Sequence, residues 1–390
     1  MPIDNATETQ HHNLNTPVTI IGGGIGGLTL ARMLYIHDIP VTVYEAEHDR
    51  HTRTQGGQLD IHEHNGQIEL EAIGLTEQFH DIIHEGADAT KIVDSNASTL
   101  LDIPSDASNA RPEVLRGDLR QMLLDSLPED IVQWNKKVSH VEHLENGQHT
   151  IHFADASTTT SDLLIGADGA WSKVRPLLSD AKPEYSGYTF VENFLRDADT
   201  QYPKTAEKVG DGAMYALTPD KGIVAHREAG DVLHTYIQLK CDLDWISNID
   251  FTNSSASTQV IAEQFEGWAP ELTALITEGS SNLILRKIYA LPDEHRWQRT
   301  PGVTLLGDAA HLMAPSGEGA NLAIYDAAEL GKLIVEYPND IELALENYEQ
   351  ALFKRSAAEA EESHELLDLC LGQDAPYGLI ALFEGSNEQN

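Results

Sequence analysis

The run Pro17-Val18-Thr19-Ile20-Ile21-Gly22-Gly23-Gly24-Ile25-Gly26-Gly27 decides the fold. Its first five residues are mostly apolar and β-branched, the pattern of a buried strand. They enter a glycine cluster directly. Ile25 to His37 follows, with Leu28, Leu30, Ala31, Leu34 and Tyr35 at the apolar positions of a helix. Gly22, Gly24 and Gly27 fit the spacing G-x-G-x-x-G. In that motif the first glycine makes a tight turn, the second lets backbone approach a pyrophosphate, and the third lets helix pack on strand. The helix N-terminus adds open N–H groups and the positive end of a dipole. Val41-Thr42-Val43-Tyr44 reads as the next strand, and Glu45 ends it where a carboxylate accepts hydrogen bonds from a ribose. Glycines also make ordinary turns, but here strand, helix, strand and acid fall in one order. A carboxylate at that place disfavours a 2′-phosphate, so the pocket suits NAD or FAD rather than NADP.

Two later segments choose between them. Asp162-Leu163-Leu164-Ile165-Gly166-Ala167-Asp168-Gly169 reads as a buried strand ending in a loop, and Ala170 to Arg175 is expected to open a helix. Val303-Thr304-Leu305-Leu306-Gly307-Asp308 is another apolar strand ending at a carboxylate. Pro315-Ser316-Gly317-Glu318-Gly319-Ala320-Asn321 then leads into a helix from about Leu322 to Tyr337. A carboxylate at the C-terminal edge of a parallel sheet suits the polyol of a ribityl chain. Glycines let backbone reach an isoalloxazine ring, and a helix start near Asn321 favours a reduced, anionic flavin. The plainer alternative makes Asp308 a helix-start residue. The three segments together point to a flavin that meets oxygen.

With these motifs the chain resembles the single-component, FAD-dependent aromatic hydroxylases (group A flavoprotein monooxygenases). Within them it is most similar to the tetracycline-inactivating monooxygenases. The resemblance runs from Pro17 to the C-terminal helices. It includes Gly56-Gly57-Gln58-Leu59-Asp60, Arg116-Gly117-Asp118-Leu119-Arg120, Asp168-Gly169 with Ser172-Lys173-Val174-Arg175, and Gly307-Asp308-Ala309-Ala310-His311-Leu312-Met313. It implies an α/β fold: a Rossmann-like FAD-binding domain, an inserted substrate domain on a mostly antiparallel sheet, and a C-terminal bracing helix. It implies FAD contacts at Glu45, Asp60, Arg116 and Asp308, and a nicotinamide contact at Arg53. Asp168-Gly169 is then shared between FAD and NAD(P)H. The implied reaction reduces FAD with NAD(P)H, forms a flavin hydroperoxide with O2, and passes one oxygen to an electron-rich carbon. No protein nucleophile and no metal are then required. Pro315, Gly317 and Gly319 would line the ring, and His311 reads as part of the Asp308 loop rather than as a catalyst.

The substrate side departs from the resemblance. Glu192 stands where the tetracycline enzymes carry glutamine, Ala213 where they carry arginine, and His234 matches their pocket histidine. Pro315 completes the expected substrate wall. A carboxylate for an amide and a methyl for a cation change what an oxygen-rich anion would meet. Gly222–Ala225 and Val232–Leu239 read as strands of a sheet with one covered face, and Leu272–Glu278 as a helical piece. The expected divisions are a disordered tail at 1–16, the FAD-binding domain at 17–184 and 286–340, a substrate domain at 185–285, and a C-terminal helical region at 341–390. Leu343, Leu345, Tyr348, Leu352 and Phe353 give the long helix from Ile341 to Leu371 its apolar stripe.

Composition bounds the rest. The 390 residues carry 25 Lys and Arg against 63 Asp and Glu, a net charge of −38. Such a surface excludes nonspecific nucleic-acid or anionic-membrane binding. No 18-residue apolar run argues for a membrane span. Two distant cysteines, Cys241 and Cys370, argue against a disulfide framework and for the cytoplasm. The resemblance implies a small aromatic substrate and O2 as partners, and a monomer is expected. An epoxidase, a Baeyer–Villiger-type oxygenase, a reductase and a non-catalytic FAD-binding sensor remain the alternatives.

Overall fold

A computed structural model describes residues 16–52, 57–84, 89–105, 112–279 and 282–387. The tail at 1–15 and Arg53 lie outside the described residues. The opening run folds as read. Val18–Ile21 is a fully buried strand, and Ile25–Ile36 is the helix after it. Val18–Ile21 is the centre of a five-stranded parallel sheet ordered Val303–Leu305, Leu163–Gly166, Val18–Ile21, Val41–Tyr44, Val132–Gln133. Its continuous apolar runs fit a sheet covered on both faces. On one face the helix Ile25–Ile36 packs against Gly319–Glu336, where glycines permit close approach. A Cβ at Gly331 would stand 2.4 Å from Met33 Cγ, and one at Gly26 would stand 2.8 Å from Leu306 Cδ1.

The second sheet has seven strands in the order Ile284–Ala290, Glu184–Arg196, Val232–Lys240, Lys221–Glu228, Ala213–Thr218, Thr90–Val93, Thr99–Ile103. All its pairings are antiparallel except the one between Ala213–Thr218 and Thr90–Val93. It reaches beyond 185–285, because Thr90–Ile103 and Ile284–Ala290 join its two ends. Val191, Leu195, Ile223, Ala225, Leu233 and Ile237 point to one face and form a core with the helices Ser254–Glu263 and Pro270–Thr277. The opposite face, at alternate positions, turns towards the first domain. Between the sheets in sequence lies a three-stranded antiparallel sheet, Val138–His143, His149–Phe153 and Thr158–Ser161, which the sequence reading did not anticipate.

The helix Ile341–Leu371 begins and ends where read. At 31 residues it is about 46 Å long. Near its start, the Tyr348 hydroxyl donates to the Leu305 carbonyl of the parallel sheet. At its end, the Leu371 carbonyl accepts from Asp220 N in a turn of the seven-stranded sheet. Two expectations are corrected. Ala170 to Arg175 does not open an α-helix: a single tight turn, Arg175–Leu177, follows, because Pro176 removes a donor and Ser172 and Asp168 take the backbone N–H groups of 173 to 175. The ring-side helix starts at Gly319, three residues before Leu322. Among the described residues, no helix is long and apolar enough to cross a membrane.

Candidate FAD and substrate site

A cleft of about 1320 Å³ opens between the two sheets. Its floor is the glycine loop, whose three glycines have separable roles. Gly22 has φ of +110°, and a Cβ on it would lie 2.2 Å from the Ala167 carbonyl oxygen. A Cβ on Gly27 would lie 2.1 Å from the Gly22 carbonyl oxygen. One on Gly24 would meet nothing within 4 Å. Gly22 and Gly27 therefore serve the fold, and Gly24 leaves room for a ligand. The helix behind them has no side-chain cap and no acidic residue in its first turn, so its N–H groups stay open to an anion.

Glu45 also lines the cleft. Its Oε2 accepts from Gly23 N at 2.6 Å and its Oε1 from Glu47 N at 2.9 Å. A carboxylate keeps further lone pairs for a ribose after two such bonds. Arg120, which the motif reading quoted without a role, is buried beneath: its Nε donates to the Gly23 carbonyl at 2.8 Å, and Nη2 lies 3.1 Å from Glu47 Oε2.

Asp168, Gly169 and Asp308 line the same cleft, and the Asp168 loop lies directly beside Gly22. Asp168 Oδ2 accepts from Lys173 N at 2.6 Å, while Oδ1 is buried without a partner among the described residues. Burial, only partly offset by hydrogen bonds from Ser172 and the backbone, lifts the Asp168 carboxyl above its usual range. Buried Arg175 ties this loop to the next by donating to the carbonyls of Ala309, Ala170 and Asp308. Asp308 itself is exposed to the cleft, one residue after Gly307 at φ +57°. An uncovered cradle at Gly24 and an unsatisfied oxygen on Asp168 both fit a dinucleotide cofactor.

His311 stands 2.5 Å from Asp326 Oδ2, and Arg355 of the long helix donates to Asp326 Oδ1 at 2.6 Å. Gly307 N donates to the same Asp326 at 3.2 Å. Burial opposes charge on His311, but Asp326 outweighs it and raises the imidazole pKa. A buried, paired imidazolium of this kind holds the Asp308 loop in shape.

Asn321 does not line the cleft. Its Nδ2 donates to the Asp60 carbonyl at 2.9 Å, and its Oδ1 accepts from His62 N at 3.0 Å. Asp60 is likewise outside the lining, but its carboxylate lies beside Gly317, which has φ of +87°. His62 bridges them: Nε2 is 2.7 Å from Asp60 Oδ2 and Nδ1 is 2.7 Å from Glu318 Oε1. Burial works against its charge, but the two carboxylates dominate and raise its pKa to about 9. Arg116, Pro315, Gly317 and Gly319 do line the cleft.

Glu192, Ala213 and His234 share the cleft-side face of the seven-stranded sheet. Ala213 pairs with His226, His226 with His234, and His234 with Phe194 across four strands. None of the three reaches the cleft lining. Arg286, on the edge strand beside Phe190, does reach it. Its signal in the sequence was an arginine set between Ile284 and Ile288 on one strand face. The cleft as a whole inverts the chain's charge balance. Arg116, Lys136, Lys137, Lys173, Arg286 and Lys287 line it against Glu45, Asp168 and Asp308.

A parallel sheet with an open glycine loop, facing a mostly antiparallel sheet across one cationic cleft, defines a protein of the dinucleotide-binding class. The chain belongs to the FAD binding domain family, which it matches over residues 15–358. Its resemblance to the FAD-dependent aromatic hydroxylases is borne out, and FAD is the cofactor that this family binds. It is 28% identical to the monooxygenase asqM of Emericella nidulans over 91% of this chain and 95% of that one. The solved structure of Klebsiella pneumoniae HpxO with FAD and uric acid shares its fold at a TM-score of 0.78 and 23% identity, covering 96% of this chain and 93% of that one. The tetracycline destructase Tet(51) shares the fold at a TM-score of 0.67 and 18% identity, covering 88% of each chain.

Proposed function

We propose that this protein is a monooxygenase that uses NAD(P)H and O2 to hydroxylate a small aromatic, phenolic or polyketide-like compound on FAD. The observation that carries the reading is the placement of the Pro315–Gly319 loop. It lines the same cleft as the glycine loop and Asp308, opposite the antiparallel sheet. When bound, FAD supplies the redox chemistry, taking electrons from the nicotinamide and delivering them to oxygen. The protein's part is to bind, orient and exclude water. Gly24 and the open helix N-terminus would hold the pyrophosphate, Glu45 the ribose, and Asp308 the ribityl chain. Pro315, Gly317 and Gly319 would border the ring, with the Asp60 carboxylate behind Gly317. His62 and His311 are each locked between or against carboxylates, so they hold protons rather than pass them. No residue is needed as a nucleophile.

The similarity to asqM supports oxygen transfer, and the uric acid of the HpxO structure supports a small, planar, oxygen-rich substrate. Among the described residues the five-stranded sheet alone carries the glycine loop, which supports a nicotinamide that would share this cleft. The test is a purified preparation assayed for flavin absorbance, then for NADH and NADPH oxidation with a panel of phenols and tetracyclines. Substrate-stimulated oxidation with an oxygenated product is expected. Flavin retention with no stimulated oxidation would instead indicate a non-catalytic FAD-binding protein, and unoxygenated product a reductase.

A further inference from the structure

Arg286 emerges into the cleft from an apolar and aromatic wall. Phe190, Tyr236, Ile288 and Ala314 pack together beside it, and Ile288 and Ala314 also line the cleft. Its side chain is 56% exposed, whereas the Glu192 carboxylate that holds it is 9% exposed. Arg286 Nε donates to Glu192 Oε1 at 2.7 Å, and Nη2 reaches Oε2 at 3.5 Å. One edge of the guanidinium is thus fastened. Its Nη1 has no hydrogen-bond partner among the described residues. A planar fork held by one carboxylate presents its remaining N–H groups in a fixed direction to a second oxyanion.

The charges continue inward. His234 is 1% exposed, with Nδ1 2.8 Å from Glu228 Oε1 and Nε2 3.6 Å from Glu192 Oε2. Its ring stacks on Phe194 at 4.1 Å and leans on Tyr236 at 4.4 Å. Glu228, His234, Glu192 and Arg286 therefore form a row of carboxylate, imidazole, carboxylate and guanidinium that ends at the cleft. Burial alone would lift Glu192, but the nearby His234 imidazole and the hydrogen bond from Arg286 outweigh it and keep the carboxyl below its usual range. A buried anion with two cationic partners is a rigid mount.

We propose that Arg286 anchors an anionic oxygen, a carboxylate or an acidic phenolate, on the aromatic substrate, and that Glu192 and His234 are positioning residues behind it. This rests on the monooxygenase reading and names its substrate class. Ala213, on the fifth strand from that edge, supplies no cation, and the edge strand supplies one instead.

The test uses the FAD-loaded protein and two probes, salicylate and its neutral counterpart salicylamide, titrated by the change in the flavin spectrum. The acid is expected to bind about tenfold or more tightly than the amide, the fold-change of one charged hydrogen bond. Arg286→Met should retain FAD and lose the preference. Glu192→Gln should retain FAD and narrow it, since the fork loses its charged mount. Equal affinity for the two probes, no binding of salicylate, or an Arg286→Met protein that still prefers the acid overturns the anchor, while FAD loading and oxygenation stand. Absence of FAD from the wild-type protein overturns the monooxygenase reading itself.

Discussion

Gly22 and Gly24 are two residues apart and should fail in different ways. Alanine at 22 meets a positive φ and a carbonyl oxygen at 2.2 Å. Gly22→Ala is expected to lose about 2 kcal/mol or more of stability and to be isolated without flavin. Gly24→Ala meets nothing, so its unfolding free energy in urea should stay within about 0.5 kcal/mol of wild type while FAD affinity falls. Equal destabilisation of both would remove this division of labour. Asp308→Ala should retain less flavin after gel filtration, because an exposed cleft carboxylate is lost with little cost to folding; unchanged retention would sink its assignment to the ribityl chain. His62 carries a pH signature. Its pKa is raised from 6.5 to about 9, so its contribution is complete below about 6.5 and is lost as pH rises through about 9. The wild type should lose on the order of 2–3 kcal/mol over that window, and His62→Asn should lose less; parallel pH profiles would refute it. The glycines were legible because their demand is on the local backbone. Arg286 and Arg120 were not, because their partners lie 94 and 97 residues away.

Elements with strong periodicity were equally legible. The long helix kept both its expected ends, since its apolar stripe must follow the surfaces beneath it. The stretch 170–175 misled, because side-chain oxygens of Asp168 and Ser172 satisfy the backbone that a helix would otherwise satisfy. The polar meander at 138–161 gave little signal, since much of it faces solvent. Thr90–Val93 joins the distant sheet by a parallel pairing that only the folded chain supplies. The three-way contact of Asp326 with His311, Arg355 and Gly307 joins three separate elements. Removing its charge leaves the half-buried Arg355 guanidinium and the buried His311 imidazole without their carboxylate, a change worth about 3–5 kcal/mol. Asp326→Asn should therefore lower the melting temperature and loosen FAD together; a melting temperature unchanged by that substitution would show the contact to be idle.

At the scale of the molecule, charge is distributed against the mean. The chain carries −38, yet six cations face three carboxylates in the cleft. The surface repels anions and the cleft draws them, a field that screens over about 10 Å at 0.1 M salt. Added KCl is expected to raise the melting temperature by relieving self-repulsion and to slow rebinding of FAD to stripped protein. A melting temperature indifferent to KCl beyond the screening range would count against a surface adapted to salt. The long helix has a consequence of its own. It is hydrogen-bonded to Leu305 of the parallel sheet at Tyr348, to Ala314 of the ring-side loop at Ser363, and to the seven-stranded sheet at Leu371. Opening one sheet alone would leave the helix held by the other. Both halves of the chain should therefore melt in a single transition and show one common exchange free energy along residues 344–371, so that the protein unfolds as one cooperative unit despite its two sheets.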